Sequence, residues 1–280
     1  MVKIGEINAL KVIRICDFGY YLDANTGNTD DDILLPKKSA LDKELEVGQE
    51  VEAFIYKDSR DRIIATLKEP KAKVGEIAYL EVVDSTKIGY FIDFGLERDI
   101  LVPFKEVAYK LEVGKKYLFY IYLDKTERIA ATTYVDKHLH NTNAYDIGTE
   151  VTATVYGIQT NGSLMVAIDD TFRGVILKNE YFNHIKPGER LYVRIKKYYE
   201  DGKMGVTPRK TRLEEMSDIE YKILDYLNSK GGFMKFNDKS SPQEIKETFQ
   251  TSKNTFKRAL GALMKKGRIS QDESGTSLIK

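Results

Sequence analysis

The sequence predicts a mainly β chain that ends in a smaller α+β domain. Two observations lead to this class: three segments repeat one succession of glycines and short apolar runs, and the apolar spacing becomes helical after residue 213. The 280 residues are 42% hydrophobic and 31% charged. This composition supplies enough apolar material for several cores and excludes wholesale disorder.

The repeat is marked by the glycines that open its three copies, Gly5, Gly75 and Gly148, which are 70 and 73 residues apart. That spacing is too long for a solenoid unit, so each copy is expected to be a small closed domain. Turns rich in glycine and charge separate five short apolar runs in each copy. In the second copy we expect strands at 77–83, 89–94, 99–102, 116–123 and 128–133. Five strands with glycines at the corners are typical of an OB-type barrel.

The C-terminal segment shows helical spacing of its apolar residues, and Ser217 or Asp218 can cap the first helix. A capping-box pattern at Ser241 predicts a second helix, and Ser252 can cap a third. Two apolar runs around residues 272–275 then predict a hairpin. Three helices followed by a hairpin are the order of a winged helix-turn-helix.

These patterns divide the chain into four expected domains. They are a first barrel (residues 1–70), a second barrel (71–140), a degenerate third barrel (141–213) and a winged helix (214–280).

The aromatic candidates for nucleic-acid binding lie in the segments 17–23 and 88–95, around the second strands of the first two barrels. An OB-type barrel binds single strands by stacking bases on such rings beside a positive groove. The candidates are Phe18, Tyr20 and Tyr21 in the first repeat and Tyr90 and Phe91 in the second. Strand alternation groups Phe18 with Tyr20 on one face and Tyr21 on the other, unless the intervening glycine introduces a bulge.

The first repeat, from Gly5 through Phe18 and Gly48 to the run 62–66, resembles the RNA-binding repeat named after the largest protein of the small ribosomal subunit, and the second repeat resembles it as closely. The resemblance implies an RNA-facing patch: an aromatic before a glycine, another two residues after it, and a basic residue in the last strand. Residue by residue, this patch comprises Phe18, Tyr21 and Arg62 in the first repeat, and Phe91 and Arg128 with the adjacent Tyr90 in the second.

Three departures from that family pattern are visible. The position of the family's histidine is occupied by Pro36, Pro103 and Leu177 in the three repeats. The first aromatic of the second repeat is replaced by Ile88, and residues 161–164 of the third repeat contain no aromatic pair. The acidic residues 30–32 of the first repeat would repel phosphate.

Three such repeats followed by a winged helix, over nearly the whole chain, are similar to the conserved virulence factor B family of bacterial RNA-binding proteins. The resemblance implies a non-enzymatic RNA-binding regulator. The lone Cys16 and the absence of a long apolar run favour a cytoplasmic protein without a membrane span. We expect no metal and no cofactor, because three histidines and one cysteine form no metal-binding or catalytic pattern.

Charge is distributed unevenly, although the net charge of the chain is only +1. Residues 1–70 carry −4, residues 71–140 are balanced, residues 141–213 carry +3 and residues 214–280 carry +2. We therefore expect most phosphate contacts from the third barrel and the winged helix. The candidate residues there are Arg194, Lys196, Lys197, Tyr198, Arg209, Lys210, Arg212, Lys253, Asn254, Lys257 and Arg258.

Single-stranded RNA is thus the expected partner, and two alternatives remain open. The winged helix could make the chain a transcription factor that binds duplex DNA. The near-neutral charge and the acidic first repeat also fit a protein–protein adaptor on the translation or RNA-decay machinery.

Replacing both Phe18 and Phe91 by alanine is expected to weaken the binding of single-stranded RNA. Each stacked ring contributes about 1–3 kcal/mol by alanine substitution. Fluorescence anisotropy with a labelled RNA measures the loss, and an unchanged affinity would reject both platforms.

Overall fold

The structure is a computed structural model that describes residues 2–209 and 212–279, with side chains given from Val2 to Arg209 and from Asp218 to Ile279. Each of the three repeats folds into a closed barrel of five strands. The strands of the first barrel are β1 (Ile7–Cys16), β2 (Gly19–Leu22), β3 (Ile33–Pro36), β4 (Glu50–Lys57) and β5 (Ile63–Thr66).

The second and third barrels repeat this arrangement. The second contains β6 (Ile77–Ser85), β7 (Gly89–Ile92), β8 (Ile100–Pro103), β9 (Lys116–Leu123) and β10 (Ile129–Thr132). The third contains β11 (Glu150–Ile158), β12 (Leu164–Ile168), β13 (Phe172–Ile176), β14 (Arg190–Tyr198) and β15 (Met204–Thr207).

All three barrels close in the same way. The first strand pairs antiparallel with the second and the fourth, and the third pairs parallel with the fifth. Each long first strand shifts register just after an equivalent valine, namely Val12, Val82 or Val155. A bulge bends a strand and increases its twist, so one strand can pair with two neighbours around a small barrel. The predicted OB-type architecture is confirmed.

Successive barrels pack directly on one another. Phe54 of β4 lies 6.2 Å, centroid to centroid, from Phe94 of the second barrel and belongs to the buried cluster of that barrel. Leu118 of β9 is fully buried in a cluster with Tyr156 and Ala167 of the third barrel. The barrels therefore share apolar cores at their junctions.

The C-terminal region is a winged helix. Its elements are α1 (Arg212–Ser229), β16 (Phe233–Met234), α2 (Pro242–Phe249), α3 (Lys253–Lys265), β17 (Ile269–Gln271) and β18 (Thr276–Leu278). The three strands form a sheet in the order β16-β18-β17. Buried residues of all three helices, among them Ile223, Phe249 and Phe256, pack into a single core with Ile269 of the wing.

The helix caps were predicted with mixed success. Ser241 and Glu244 form the complete capping box of α2, and Ser252 accepts a hydrogen bond from the backbone amide of Thr255 at the start of α3. The prediction that Ser217 or Asp218 caps α1 is wrong, because the helix begins at Arg212. The intervening sequence Leu-Glu-Glu-Met consists of good helix formers, and its acidic residues suit a helix N-terminus.

Replacing Leu118 by alanine is expected to lower the free energy of unfolding by about 2–5 kcal/mol, because it opens a cavity at the junction between the second and third barrels. Urea denaturation of the full chain, followed by circular dichroism, measures the change. Leu177→Ala is the control, since Leu177 is exposed. Equal effects of the two substitutions would contradict a packed junction.

Candidate nucleic-acid interface

The first barrel presents two aromatic rings on its outer surface. Phe18 lies in the turn before β2 and is 59% exposed, and its ring meets Tyr21 edge to face at 6.4 Å. The guanidinium of Arg14 lies 4.1 Å from the centroid of the Tyr21 ring, a cation–π contact that holds this ring in place. The pair is the arrangement of rings that stacking on unpaired bases requires.

Tyr20 lies on the opposite side of β2. It is buried in the core of the first barrel, where its hydroxyl donates a hydrogen bond to the carbonyl of Lys43 at 3.2 Å. The expectation from strand alternation that Phe18 shares its face is therefore wrong. Phe18 lies in the turn before the strand, where strand alternation does not apply, and its side chain is exposed.

The glycine between these aromatics is required by the approach of the neighbouring strand. A Cβ atom at Gly19 would overlap the carbonyl oxygen of Leu35 on β3, and one at Gly89 would overlap that of Val102 on β8. Both glycines open the second strand of their barrel and pair with a proline, Pro36 or Pro103. The glycine at this position is thus a steric requirement of both barrels.

Arg62, the basic residue of the RNA-facing patch predicted for the first barrel, is already paired with a carboxylate. Arg62 donates two hydrogen bonds, from Nε at 3.0 Å and from Nη2 at 2.7 Å, to Oδ2 of Asp58. Partial burial opposes ionisation of Asp58, but the bonds from the Arg62 side chain and from backbone amides hold its pKa below the usual value. Arg62 and Tyr21 line a hollow of about 650 Å³ together with the acidic residues 30–32.

The RNA-facing patch predicted for the second barrel lies beside the first barrel. Phe91 on β7 lines a cleft of about 390 Å³ whose other wall is formed by residues 56–59 of the first barrel. Arg128 lines the same cleft, and its Nε donates to Oδ1 of Asp61 at 2.6 Å. A second ion pair at this junction joins Lys57 to Glu127 at 2.8 Å. The loop between β4 and β5 therefore supplies carboxylates to the basic residues of both faces.

Tyr90 lies on the inner side of β7, opposite Phe91. It pairs across the strands with the buried Val102, packs against the core of the second barrel and meets Phe104 edge to face at 5.5 Å. This departs from its prediction as an RNA-facing residue, because alternate residues of a strand face opposite sides.

The predicted basic residues of the third barrel are partly engaged within the molecule. Lys196 forms an ion pair with Glu180 at 2.6 Å, Lys197 lies 4.2 Å from the ring centroid of Tyr199, and Arg194 donates to the carbonyl of Arg209 at 3.1 Å. Burial opposes ionisation of Glu180, but hydrogen bonds from Lys196 and Thr207 hold its pKa below the usual value.

Tyr198, which is also predicted to contact RNA, packs inward. The Tyr198 hydroxyl donates to the carbonyl of Tyr145 at 2.7 Å, and its ring packs against the core of the third barrel, so the ring is not presented to a ligand as expected. Lys210 and the side chain of Arg212 lie outside the described residues.

The third helix of the winged helix exposes Asn254 and Arg258 as predicted. Lys257, by contrast, forms an ion pair with Asp238 at 3.6 Å, and Lys253 donates to the carbonyl of Lys239 at 3.4 Å. The adjacent wing carries the acidic residues 272 and 273. A wing of this charge would repel the phosphates of a bound duplex.

The most exposed aromatic ring among the described residues was not predicted from the sequence. Tyr192 is 87% exposed on β14, between Arg190 and Arg194. The alternation of basic, aromatic and apolar residues along 190–195 was the available signal.

In the described part of the chain, no three His, Cys, Asp or Glu side chains are placed to hold a metal ion, and no helix is long and apolar enough to cross a bilayer.

Comparisons with known proteins agree with this geometry. The S1 domain family matches residues 4–68 and 74–134, which are the first two barrels, and the family described as the CvfB-like winged helix domain matches residues 221–278. The fold and these matches define a nucleic-acid-binding protein that combines S1-type barrels with a winged helix.

Similar proteins extend the match to the full chain. The Bacillus subtilis (strain 168) protein YitL is 32% identical over 97% of this chain and 92% of its own length. Conserved virulence factor B of Staphylococcus epidermidis (strain RP62A) is 28% identical over 99% of this chain and 95% of its own length. The chain belongs to the conserved virulence factor B family.

A solved structure supports the same class. A Streptococcus pneumoniae TIGR4 protein, described as a multidomain protein with nucleic acid binding domains, is 26% identical with a TM-score of 0.53. The match covers 99% of this chain and 98% of that one.

Replacing Asp58 and Asp61 together by asparagine is expected to raise the affinity for single-stranded RNA, because Arg62 and Arg128 then become available to phosphate. Each new phosphate contact steepens the slope of log K against log salt concentration by about 0.7. The measurement is an anisotropy titration at several salt concentrations.

The control for this substitution is the double variant Asp225→Asn, Glu247→Gln, which removes the same charge from exposed positions of the winged helix. An equal gain in the control, or no gain in the test variant, would show that the two aspartates do not restrain the predicted RNA-facing arginines.

Proposed function

We propose that this chain is a non-catalytic, single-stranded RNA-binding protein that regulates gene expression after transcription in the bacterial cytoplasm. The observation that carries the proposal is the outward pair Phe18–Tyr21 with Arg14 behind it, repeated in simpler form by Phe91 in the second barrel. Exposed rings beside cations fit bases whose flat faces are free, as they are in unpaired strands.

Duplex DNA fits this surface less well. In the first two barrels, the proposed binding surfaces are shallow hollows around aromatic rings. They present no helix that could enter the major groove of a duplex. The winged helix does offer α3, but Lys253 and Lys257 make contacts within the domain, and the wing is acidic. The basic side chains that a duplex requires are therefore only partly available.

The preference for RNA over single-stranded DNA is supported by the S1 family match in the first two barrels. We further propose that the four units 1–70, 71–140, 141–213 and 214–280 act as linked modules on one strand. Because the barrels share buried clusters, their faces keep a fixed spacing. A strand bound at one face is then delivered to the next at high effective concentration.

The adaptor alternative differs in what holds the complex together. An adaptor would bind RNA weakly and form a stable complex with a protein partner. The Phe18–Tyr21 pair favours the RNA proposal, because two rings alone do not form the extended apolar centre of a protein interface.

Titration of the full chain with single-stranded RNA, single-stranded DNA and duplex DNA, at about 50 and 200 mM salt, tests the proposal. Single-stranded RNA is expected to bind most tightly, with an affinity that falls as salt rises. If duplex DNA outcompetes RNA, the chain acts through its winged helix. If RNA binding disappears at the higher salt while a protein complex persists, the chain is an adaptor.

A further inference from the structure

We infer that Tyr192, on the outer face of β14, is a base-stacking residue of a second single-strand site, flanked by Arg190 and Arg194. This site lies outside the face that the S1-type motif defines. The inference rests on the proposed function, since it adds a contact for the same class of ligand.

The geometry of β14 turns the three side chains outward together. Leu191, Val193 and Ile195 pack into the core of the third barrel. Alternation then places Arg190, Tyr192 and Arg194 on the outer surface, with about 7 Å between successive side chains on that face. A ring with a guanidinium on each side is the combination that holds a base by stacking and its flanking phosphates by charge.

The ring of Tyr192 is not used by the fold. It is 87% exposed, and among the described residues it makes no ring contact and no hydrogen bond. Its neighbour across the strand pair is the small Thr152 of β11, which leaves the face of the ring open. The exposed ring therefore remains available to stack on an external partner.

Part of the same surface is covered by the next barrel in the first two barrels, although Glu52 of the first barrel is exposed. Pairing between the first and fourth strands identifies the equivalent positions. The fourth residue after the opening glycine pairs with Glu52 in the first barrel, with Leu118 in the second and with Tyr192 in the third. The second residue after that glycine pairs with Phe54, Tyr120 and Arg194.

These equivalent positions differ in what covers them. Phe54 is buried against the second barrel, and Leu118 is buried with Tyr120 beside it against the third. In the third barrel, the equivalent surface carries Tyr192 and Arg194 and is open. The surface that joins one barrel to the next thus changes from apolar to basic and aromatic at the end of the series.

The charges of this surface favour a polyanion over a protein partner. Arg190 is held in place by an ion pair with Asp170 and lies 3.9 Å from the ring centroid of Tyr79. Within the described ranges, Arg194 has no carboxylate within ion-pairing distance, and it points to the carbonyl of Arg209. A protein interface is depleted of charge at its centre, whereas here the ring lies between two arginines, of which Arg194 supplies the charge that no described carboxylate pairs with.

Glu150, which pairs with Arg194 across the strands, limits what the site accepts. Its carboxylate weakens the attraction for any phosphate, so binding at this site has to draw on the stacking of a base on Tyr192. The ligand class is therefore an unpaired nucleotide within a strand.

The first test is the affinity of the full chain for a labelled single-stranded RNA of mixed sequence without self-complementarity. Tyr192→Ala is expected to weaken binding roughly 5- to 150-fold, the equivalent of about 1–3 kcal/mol per stacked base. Tyr192→Phe is expected to bind as wild type, because the ring is kept. Tyr221→Ala is the matched control, since Tyr221 is also exposed, at 72%, but lies on α1.

The second test uses the absence of tryptophan from the sequence. Tyr192→Trp introduces a single fluorophore at the proposed site, and Tyr221→Trp introduces one at the control position. Stacking of a base is expected to quench the fluorescence at position 192 as RNA is added and to leave that at position 221 unchanged.

The outcomes separate this inference from the proposed function. If wild type binds RNA but Tyr192→Ala binds equally well and the introduced tryptophan is not quenched, the Tyr192 site is rejected and the proposed function stands. If Tyr192→Ala instead abolishes self-association seen by sedimentation, the surface joins two copies of the chain and the inference is overturned. If wild type binds no RNA, the proposed function itself fails.

Discussion

Apolar packing between successive barrels is the constraint on which the rest of the structure depends. Phe54 and Leu118 are buried against the next barrel, from equivalent surfaces of the first and second barrels. Because each junction is a shared core, the orientation of one barrel fixes that of the next. A ligand strand then does not have to order the modules when it binds, and this saving of entropy favours binding at several weak faces.

That packing also creates the electrostatic character of the first two faces. It brings the loop between β4 and β5 against the second barrel, where Asp61 meets Arg128 while Asp58 holds Arg62. The first two barrels therefore offer mainly rings, and the excess of positive charge lies in residues 141–280. In our proposal, the first two barrels bind bases by stacking on their aromatic rings. The third barrel binds a base on Tyr192 and provides most of the attraction to phosphate.

The sequence predicted the repeats and strands well, because glycine spacing and apolar runs are local signals. The first strand of the second barrel was expected at 77–83 and spans 77–85, an ordinary shift of a boundary. Phe18 was grouped with the wrong face by strand alternation because it lies in the turn, although the family motif grouped it with Tyr21. The contact between Asp61 and Arg128 could not be predicted, since it joins residues 67 positions apart and exists only through barrel packing. Tyr192 could have been found, because its alternation with arginines is visible in the sequence.

In our proposal, the winged helix extends the basic end of the chain and is not an independent reader of duplex DNA. Inserting α3 into a major groove would bring Glu273 of the wing close to the phosphates, and the pairing of Lys257 with Asp238 would have to be broken. The repulsion by the wing costs free energy that a bound duplex must supply, whereas the exposed pair of Lys257 and Asp238 contributes little. On the other side of the domain, a hollow of about 460 Å³ lies between the third barrel and α1, lined by Phe182, Arg209 and Lys222 among others. Arg194 of the Tyr192 surface donates a hydrogen bond to the carbonyl of Arg209, which lines this hollow, so the proposed site and the hollow adjoin through these two arginines.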